Sequence, residues 1–411
     1  MSEWTPIKLG SIVNITNGFA FKSENFLTSL TFNTLPVLKI KNVANGDVHL
    51  KDVQYHLIDS KYDKYTSSKG DILITLTGNH PQALTQVVGA VSKQKFDTLA
   101  YINQRVAKID PISSLAFKDF IYYFLKEKST HDYLASQSSG SANQANISKA
   151  DIENVELLLP PVTEQIAIAS VLSSLDDKID LLHRQNKTLE SMAETLFRQW
   201  FDVDSNDEWQ EKNVLDIFTL VGGGTPKTSV AEYWTDEIPW ISGGDISAAH
   251  QGYLYSTEKS ISLAGLQNSS AKLLPKNSTV ISARGTVGKY ALLARDMAFS
   301  QSNYGIVSKI GSYPFFIYLL VGFIVDDLLT AAYGSVFDTI TTRTFESVNL
   351  KFPSLNSIEK FNEEISPIFS KKETNTQQIK TLENLRDTLL PKLMNGEVRV
   401  QYAEEAIASV A

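Results

Sequence analysis

The chain of 411 residues contains no cysteine. Disulfides, thiol nucleophiles and cysteine-ligated zinc are therefore excluded, and a reducing cytoplasmic setting is expected. Its six histidines (His49, His56, His80, His131, His183, His250) show no metal-ligand spacing. No Glu-x-Lys triplet occurs, which removes the simplest nuclease signature. A Gly-x-Gly-x-x-Gly fingerprint is also missing, and "ARGTVGKY" (283–290) lacks the glycine spacing and the Ser/Thr after Lys289 that a phosphate loop requires. Adenine methylation needs Asn or Asp before Pro-Pro and an aromatic after it; the one Pro-Pro, Pro160-Pro161, follows leucine. The chain is not expected to be an enzyme. It opens with neither a basic nor an apolar leader, so no signal peptide is expected. The longest apolar run, Tyr313 to Val325, stops at Asp326-Asp327, too short for a bilayer; it reads as a buried helix, with no membrane partner.

Basic charge is scarce too. The formal net charge is −8, and no strongly basic stripe of a stand-alone DNA binder is present. Residues 1–155 carry 16 Lys+Arg against 14 Asp+Glu, while residues 206–350 carry 10 against 14. If duplex DNA is a partner, part of the phosphate affinity must come from another subunit.

What the chain does have is a repeat, the feature to establish before any other. "GSANQANISKADIENVELLLPP" (140–161) returns as "GSVFDTITTRTFESVNLKFPS" (334–354), and from Val155 onward the halves align at a constant offset of 193. Each copy leads into a long glycine-free periodic run. In the first, Ile168, Leu172, Leu175, Ile179, Leu182, Asn186, Leu189, Ala193, Leu196 and Trp200 recur at spacings of four and three. The matching positions of the second are Phe361, Ile365, Ile368, Lys372, Asn375, Ile379, Leu382, Arg386, Leu389 and Leu393. That alternation is a coiled-coil seam. One such stripe alone would be the face of a core helix; two, matched position by position, point to mutual pairing. A pseudo-two-fold axis across them requires an antiparallel pair with one globular region at each end. The polar seam positions Asn186, Lys372 and Asn375 would set its register at a cost in stability. The second run ends at Asn395-Gly396, a helix stop.

The globular regions also echo each other. "NGFAFKS" (17–23) matches "GGGTPKT" (222–228), and "LPVLKIKNV" (35–43) matches "IPWISGGDI" (238–246). "ILITLTG" (72–78) matches "TVISARG" (279–285), "INQR" (102–105) faces "FSQS" (299–302), and "FIYYFLK" (120–126) matches "FFIYLLV" (315–321). Short Ile/Val/Thr runs bounded by Gly and Asn read as strands, and the aromatic runs as helices. Two mixed α/β regions share a scaffold and differ in their loops, which suits two modules binding two versions of one kind of ligand.

This ordered array resembles the DNA specificity subunit of type I restriction-modification enzymes. The residues that carry the resemblance are "GGGTPKT", "ILITLTG"/"TVISARG", "SKADIENVELLLPPVTEQIAIASVLSSLDDKID" and the second copy of that segment, ending "LENLRDTLLPKLMNGEV". It covers all but "QYAEEAIASVA" (401–411). It implies target recognition domain 1 over 1–155, a first spacer helix over 156–207, target recognition domain 2 over 208–350, a second spacer helix over 351–400, and a tail. It further implies that each domain reads one half of a split, asymmetric DNA site, and that the paired helices set the half-site spacing and dock methyltransferase subunits. Those partners would carry S-adenosylmethionine and methylate adenine N6, and a motor-nuclease subunit would add restriction. This chain would bind no cofactor itself. A coiled-coil scaffold joining two protein-binding domains is the alternative; it accounts for the acidity and accounts poorly for a kept scaffold with varied loops.

Base edges are read by Arg, Lys, Asn, Gln, Ser and Thr, and phosphates are held by cations, hydroxyls and N–H groups. In the first region the turns after expected strands nominate Lys22, Lys39, Lys41, Asn42, Thr77, Asn79, His80, Gln82, Asn103, Gln104 and Arg105, with the polar loop 138–146, Asn143 included. In the second they nominate Lys227, Ser242, Asp245, Arg284, Thr286, Lys289, Gln301, Asn303, Tyr304 and Tyr333. Asn and Gly in turns mostly serve backbone geometry, and a lone Lys is usually a solvated one. Arg284 stands out: on a Gly-flanked strand end it can reach guanine O6 and N7 together. Gln104 and Gln301, aligned across the repeat, are shared by both regions and so cannot explain two different targets.

Overall fold

The computed structural model describes residues 4–44, 46–78, 87–112, 114–139, 145–201, 209–333 and 339–408. Two helices dominate, Val162–Trp200 and Leu355–Met394. At 1.5 Å per residue each is roughly 60 Å long. The chain forms two compact units whose borders fall inside those helices: Met1–Ile179 with Thr381–Ala411, and Asp180–Lys380. Each unit thus holds one globular region and part of each long helix.

In the first unit, four antiparallel strands lie in the order Val13–Asn17, Val106–Pro111, Ile72–Thr75, Val91–Lys93. The inner strand Ile72–Thr75 is an unbroken apolar run in sequence because both its faces are covered, and Ile72, Leu73 and Ile74 have no exposed surface. A second sheet runs Gln54–Leu57, Thr34–Leu38, Ala100–Ile102, Thr66–Ser67, with the middle two strands parallel. A two-stranded ribbon pairs Thr5–Lys8 with Glu156–Leu159. Residues 156–159, assigned in sequence to the start of the spacer, are therefore part of the globular region, and the helix begins at Val162. Buried Gln165 ties that start to the globular region: its oxygen accepts from the Phe117 N–H at 2.7 Å, and its amide donates to the carbonyls of Pro160 and Leu115.

The second unit repeats the plan. Its first sheet is Phe218–Gly222, Asn303–Ser308, Thr279–Ser282, Tyr290–Leu293, with Tyr253–Leu254 added in parallel at the edge. The second sheet is Lys259–Ile261, Ile238–Ile241, Met297–Phe299, Leu273–Leu274, again with a parallel middle pair. The ribbon is Gln210–Asn213 with Asn349–Phe352. The aromatic run forms Pro314–Tyr333, which continues through Asp326-Asp327 and is longer than the apolar run suggests. That helix is long and apolar enough to pass for a membrane span. It is instead the core helix of this unit: Phe316, Tyr318, Leu320, Val321 and Leu328 are at most 1% exposed, in one cluster with Phe361, Ile365 and Phe369 of the second long helix.

The long helices pair antiparallel in both units. In the second, Asn186 faces Asn375, Glu190 faces Lys372, and Phe197 meets Phe361 with ring centres 5.8 Å apart. In the first, Asp176 faces Arg386. Of the seam residues, Ile168, Leu172, Leu175, Ile179, Leu182, Ile365, Ile379, Leu382, Leu389 and Leu393 are buried, and Leu189, Leu196 and Ile368 half-buried. The polar positions bond across the seam: Asn375 Nδ2 donates to Asn186 Oδ1 at 3.0 Å, and Asn186 Nδ2 to Thr376 Oγ1 at 3.1 Å. Pro367 and Pro391 sit inside the second helix without ending it. Each removes one backbone donor; Phe361, Ile365 and Phe369 around Pro367, and Leu389, Leu390 and Leu393 around Pro391, keep that face of the helix packed.

Candidate nucleic-acid interface

Both units gather three polar segments at one corner by the same backbone bonds. In the first, Leu76 N–H donates to Arg105 O and Ile147 N–H to Leu76 O, each at 2.9 Å. In the second, Ala283 N–H donates to Ser302 O at 2.9 Å and Ile340 N–H to Ala283 O at 3.1 Å. The turn after the central strand, the bend between the two sheets and the segment entering the ribbon are thus stitched together. Glycine is required nearby: a Cβ at Gly18 would overlap the carbonyl oxygen of Asn103, and one at Gly223 that of Ser300. Gly285 has φ +80°, which lets the chain turn directly after Arg284.

The structure divides the nominated residues. Arg284 is exposed and its guanidinium makes no hydrogen bond or ion pair with any described residue. Beside it the Thr286 hydroxyl donates to Gly243 O at 3.1 Å and lies 3.1 Å from Ser282 Oγ, while Ser282 Oγ donates to Arg284 O. The turn is held by its hydroxyls, and the arginine is left to solvent. Gln301, Lys227 and Tyr333 are exposed, and Tyr304 is half-buried, edge-on to Phe345 at 6.1 Å. In the first unit Lys22, Lys41, Gln104 and Arg105 are exposed, with Lys22 3.8 Å from Glu24.

Several nominees serve the fold instead. Asn42 is fully buried: its amide donates to His49 O and Lys51 O, and its oxygen accepts from Lys39 N–H. Thr77 is buried and donates to Asn146 Oδ1 at 2.7 Å. Asn303 is 1% exposed and donates to Ser300 Oγ. Ser242 and Asp245 cap one short helix, with Asp245 also accepting from Glu258 N–H. Asn103 is half-buried; its backbone N–H donates to Leu38 O, while its side chain bonds to no described residue. The Lys39 ammonium donates to Gln54 Oε1 at 2.5 Å and lies 4.3 Å over the Phe26 ring; burial, then the Lys41 charge, lower its pKa. For Asn42, Ser242 and Asp245 the cause is local, because small polar side chains in turns are near partners of the turn's own backbone; Thr77, Asn303 and Lys39 are taken by other side chains that the fold brings beside them. Asn79, His80, Gln82 and Asn143 lie outside the described residues.

Lys289 points elsewhere, lining a cavity of about 360 Å3 in the second unit with Arg198, Glu194, His250 and Asp326. Burial, then Lys289, hold His250 below its ordinary value. Among the described residues no group of His, Asp and Glu is placed to hold a metal ion. Sequence reasoning passed over Arg343 and Thr342, exposed at the ribbon entry of the second unit.

The type I restriction modification DNA specificity domain matches this chain twice, over residues 1–191 and 206–385. The chain belongs to that family. Among its relatives, a type I restriction enzyme specificity subunit (MjaIX) of Methanocaldococcus jannaschii is 27% identical, with 97% of each chain covered. The HindI specificity subunit of Haemophilus influenzae is 23% identical, over 97% of this chain and all of that one. In fold, it is similar to the crystal structure of a type I restriction-modification S subunit from M. genitalium, with a TM-score of 0.58, 16% identity and 96% of each chain covered. The family's two domain matches coincide with the two repeats, and membership carries a role in DNA sequence specificity.

Proposed function

We propose that this chain is the sequence-reading subunit of a type I restriction-modification complex and does no chemistry itself. Each unit reads one half of a two-part asymmetric DNA site. The long helices dock methyltransferase subunits, which bring S-adenosylmethionine and transfer its methyl group to adenine N6; a motor-nuclease subunit adds restriction. The observation that carries this reading is the pair of matching corners. Identical backbone tethers present different exposed side chains, as two readers of different half-sites require. Two modules held by a helical pair read half-sites at a set spacing, in a way a flexible linker would not allow. The acidity of the chain fits the same scheme if a partner supplies much of the phosphate contact.

A genome-wide map of N6-methyladenine, with and without this gene, tests the proposal. Loss of one bipartite motif on deletion is expected. An unchanged map with the methyltransferase expressed would favour a scaffold that joins protein partners. Lengthening one long helix by whole turns is expected to change the spacing and leave both half-sequences intact; an altered half-sequence would count against the ruler role.

A further inference from the structure

Beside the Arg284 turn, the second unit carries a cleft of about 760 Å3 lined by Tyr304, Thr339, Thr341, Thr342, Arg343 and Ser347, among others. Its chemistry is one cation among hydroxyls. Some of those hydroxyls are spent on the fold: Thr341 and Thr344 cap the short helix Thr342–Glu346, and Ser347 Oγ donates to Thr344 O. Three donors are not. The Arg343 guanidinium, the Thr342 hydroxyl and the Tyr304 hydroxyl make no hydrogen bond or ion pair with any described residue, and Arg343 does not pair even with Glu346 one turn on. These donors stand on rigid support, because Phe345 beneath them is fully buried and packs edge-on against Phe218 and Tyr304. The Ile340 to Ala283 bond holds the cleft against the residue preceding Arg284.

We infer that this cleft grips the phosphate backbone of duplex DNA, with Arg343 as its charged contact and Thr342 and Tyr304 as neutral donors. The inference rests on the DNA-reading role proposed above and divides the labour within it. An arginine with neutral hydroxyl donors, engaged by no acid among the described residues, is the donor set of a phosphate oxygen. Such a contact fixes position and carries no sequence information, while Arg284 alongside faces outward for a base edge. Among the described residues the first unit has no counterpart of this feature. At the matching positions of the first unit, Lys149 pairs with Glu153 at 3.4 Å and Ala150 stands where Arg343 does.

The test uses the full chain assembled with its methyltransferase subunits, on duplexes carrying the mapped motif and on scrambled duplexes, across a range of salt. Arg343→Gln is expected to weaken binding about tenfold at physiological salt. The loss should be equal on both duplexes, with the salt dependence shallower by about one phosphate contact and the methylated motif unchanged. Arg343→Lys should restore the slope, and Thr342→Val should give a smaller loss, again equal on both duplexes. An unchanged slope, or a loss confined to the motif duplex, overturns the inference. So does weakened subunit assembly with intact salt dependence, which would make an acidic protein surface the occupant. If Arg343→Gln does not fold, the Thr342→Val and Arg343→Lys pair decides by the same criteria. If no motif depends on the gene, the reading fails first and the inference falls with it, a result distinct from an intact motif with an unmoved slope.

Discussion

The two units solve one anchoring problem with the same chemistry at different depths. In the first, the Tyr123 hydroxyl donates to Asp176 at 2.9 Å, and Asp176 pairs with Arg386 at 2.8 Å. In the second, the Tyr318 hydroxyl donates to Glu190 at 2.9 Å, and Glu190 pairs with Lys372. Tyr123 and Tyr318 are aligned across the repeat. Their carboxylate partners are not: both lie on the first long helix, where a strict two-fold would move the second to the other helix. A tyrosine, a carboxylate and a cation thus clip each globular region to the paired helices, and the clip was rebuilt rather than copied. Depth separates them. The Glu190 and Lys372 side chains are 11% and 4% exposed, those of Asp176 and Arg386 15% and 18%. Even with Glu190 beside it, burial pushes the Lys372 ammonium down to about 8.

The difference in depth sets the largest predicted effect. Glu190→Ala strands a cation in the core and should destabilise the second unit by about 3–5 kcal/mol. Asp176→Ala leaves its arginine within reach of water and should cost about 1–3 kcal/mol. Denaturant unfolding of the two variants measures both, and equal losses would break the comparison. Next in size is the contrast at the corner. Arg284→Gln should lose about 1–3 kcal/mol of discrimination at one base of one half-site. Thr77→Val, at the matching position, should leave the methylated motif as it is, because Thr77 is spent on Asn146. A motif shift with Thr77→Val would reverse the assignment.

Acid should act on the first unit through Asp176. Burial raises the Asp176 pKa, but Lys126, Arg386 and the Tyr123 hydroxyl together outweigh it and leave the carboxyl below its ordinary value of 3.8. A carboxyl depressed in the fold stabilises it above the unfolded value and loses that contribution as pH falls through the folded one. Asp176→Asn should therefore flatten the acid limb of the first unit's stability below about pH 4; an unaltered limb would remove Asp176 as its source. The smallest effect belongs to the seam. Replacing Asn186 and Asn375 together by Leu should leave stability within about 1 kcal/mol of the parent or above it, since both partners of the bond go at once. Asn375→Leu alone should be worse than the pair in the same melt.

Much of this was legible in the chain because periodicity and repetition are linear properties. The seam from Ile168 to Leu196 and from Ile365 to Leu393, the matched strands and the buried aromatic helix all follow from spacing and composition. That Arg284 is left exposed and unpaired among the described residues was legible for a similar reason: a cation beside a glycine on a strand end has few local partners. Asn42, Thr77, Asn303 and Asp245 were nominated beside it and are held by the fold, because whether a small polar group is free depends on which groups lie beside it after folding. Arg343 went unnoticed for the converse reason, since nothing in "TTRT" says that its neighbours will be occupied and it will not.

The sequence by itself determined that the chain is a duplicated α/β fold with two long helices at matching places in its repeats, because a constant offset and a three-four spacing admit few other folds. Only the tertiary structure decided which polar side chains are spent and which remain for a ligand. It also decided that each compact unit takes part of both long helices. Hydrogen-bond partners and burial are set by contacts between residues far apart in the chain, and no local pattern encodes them.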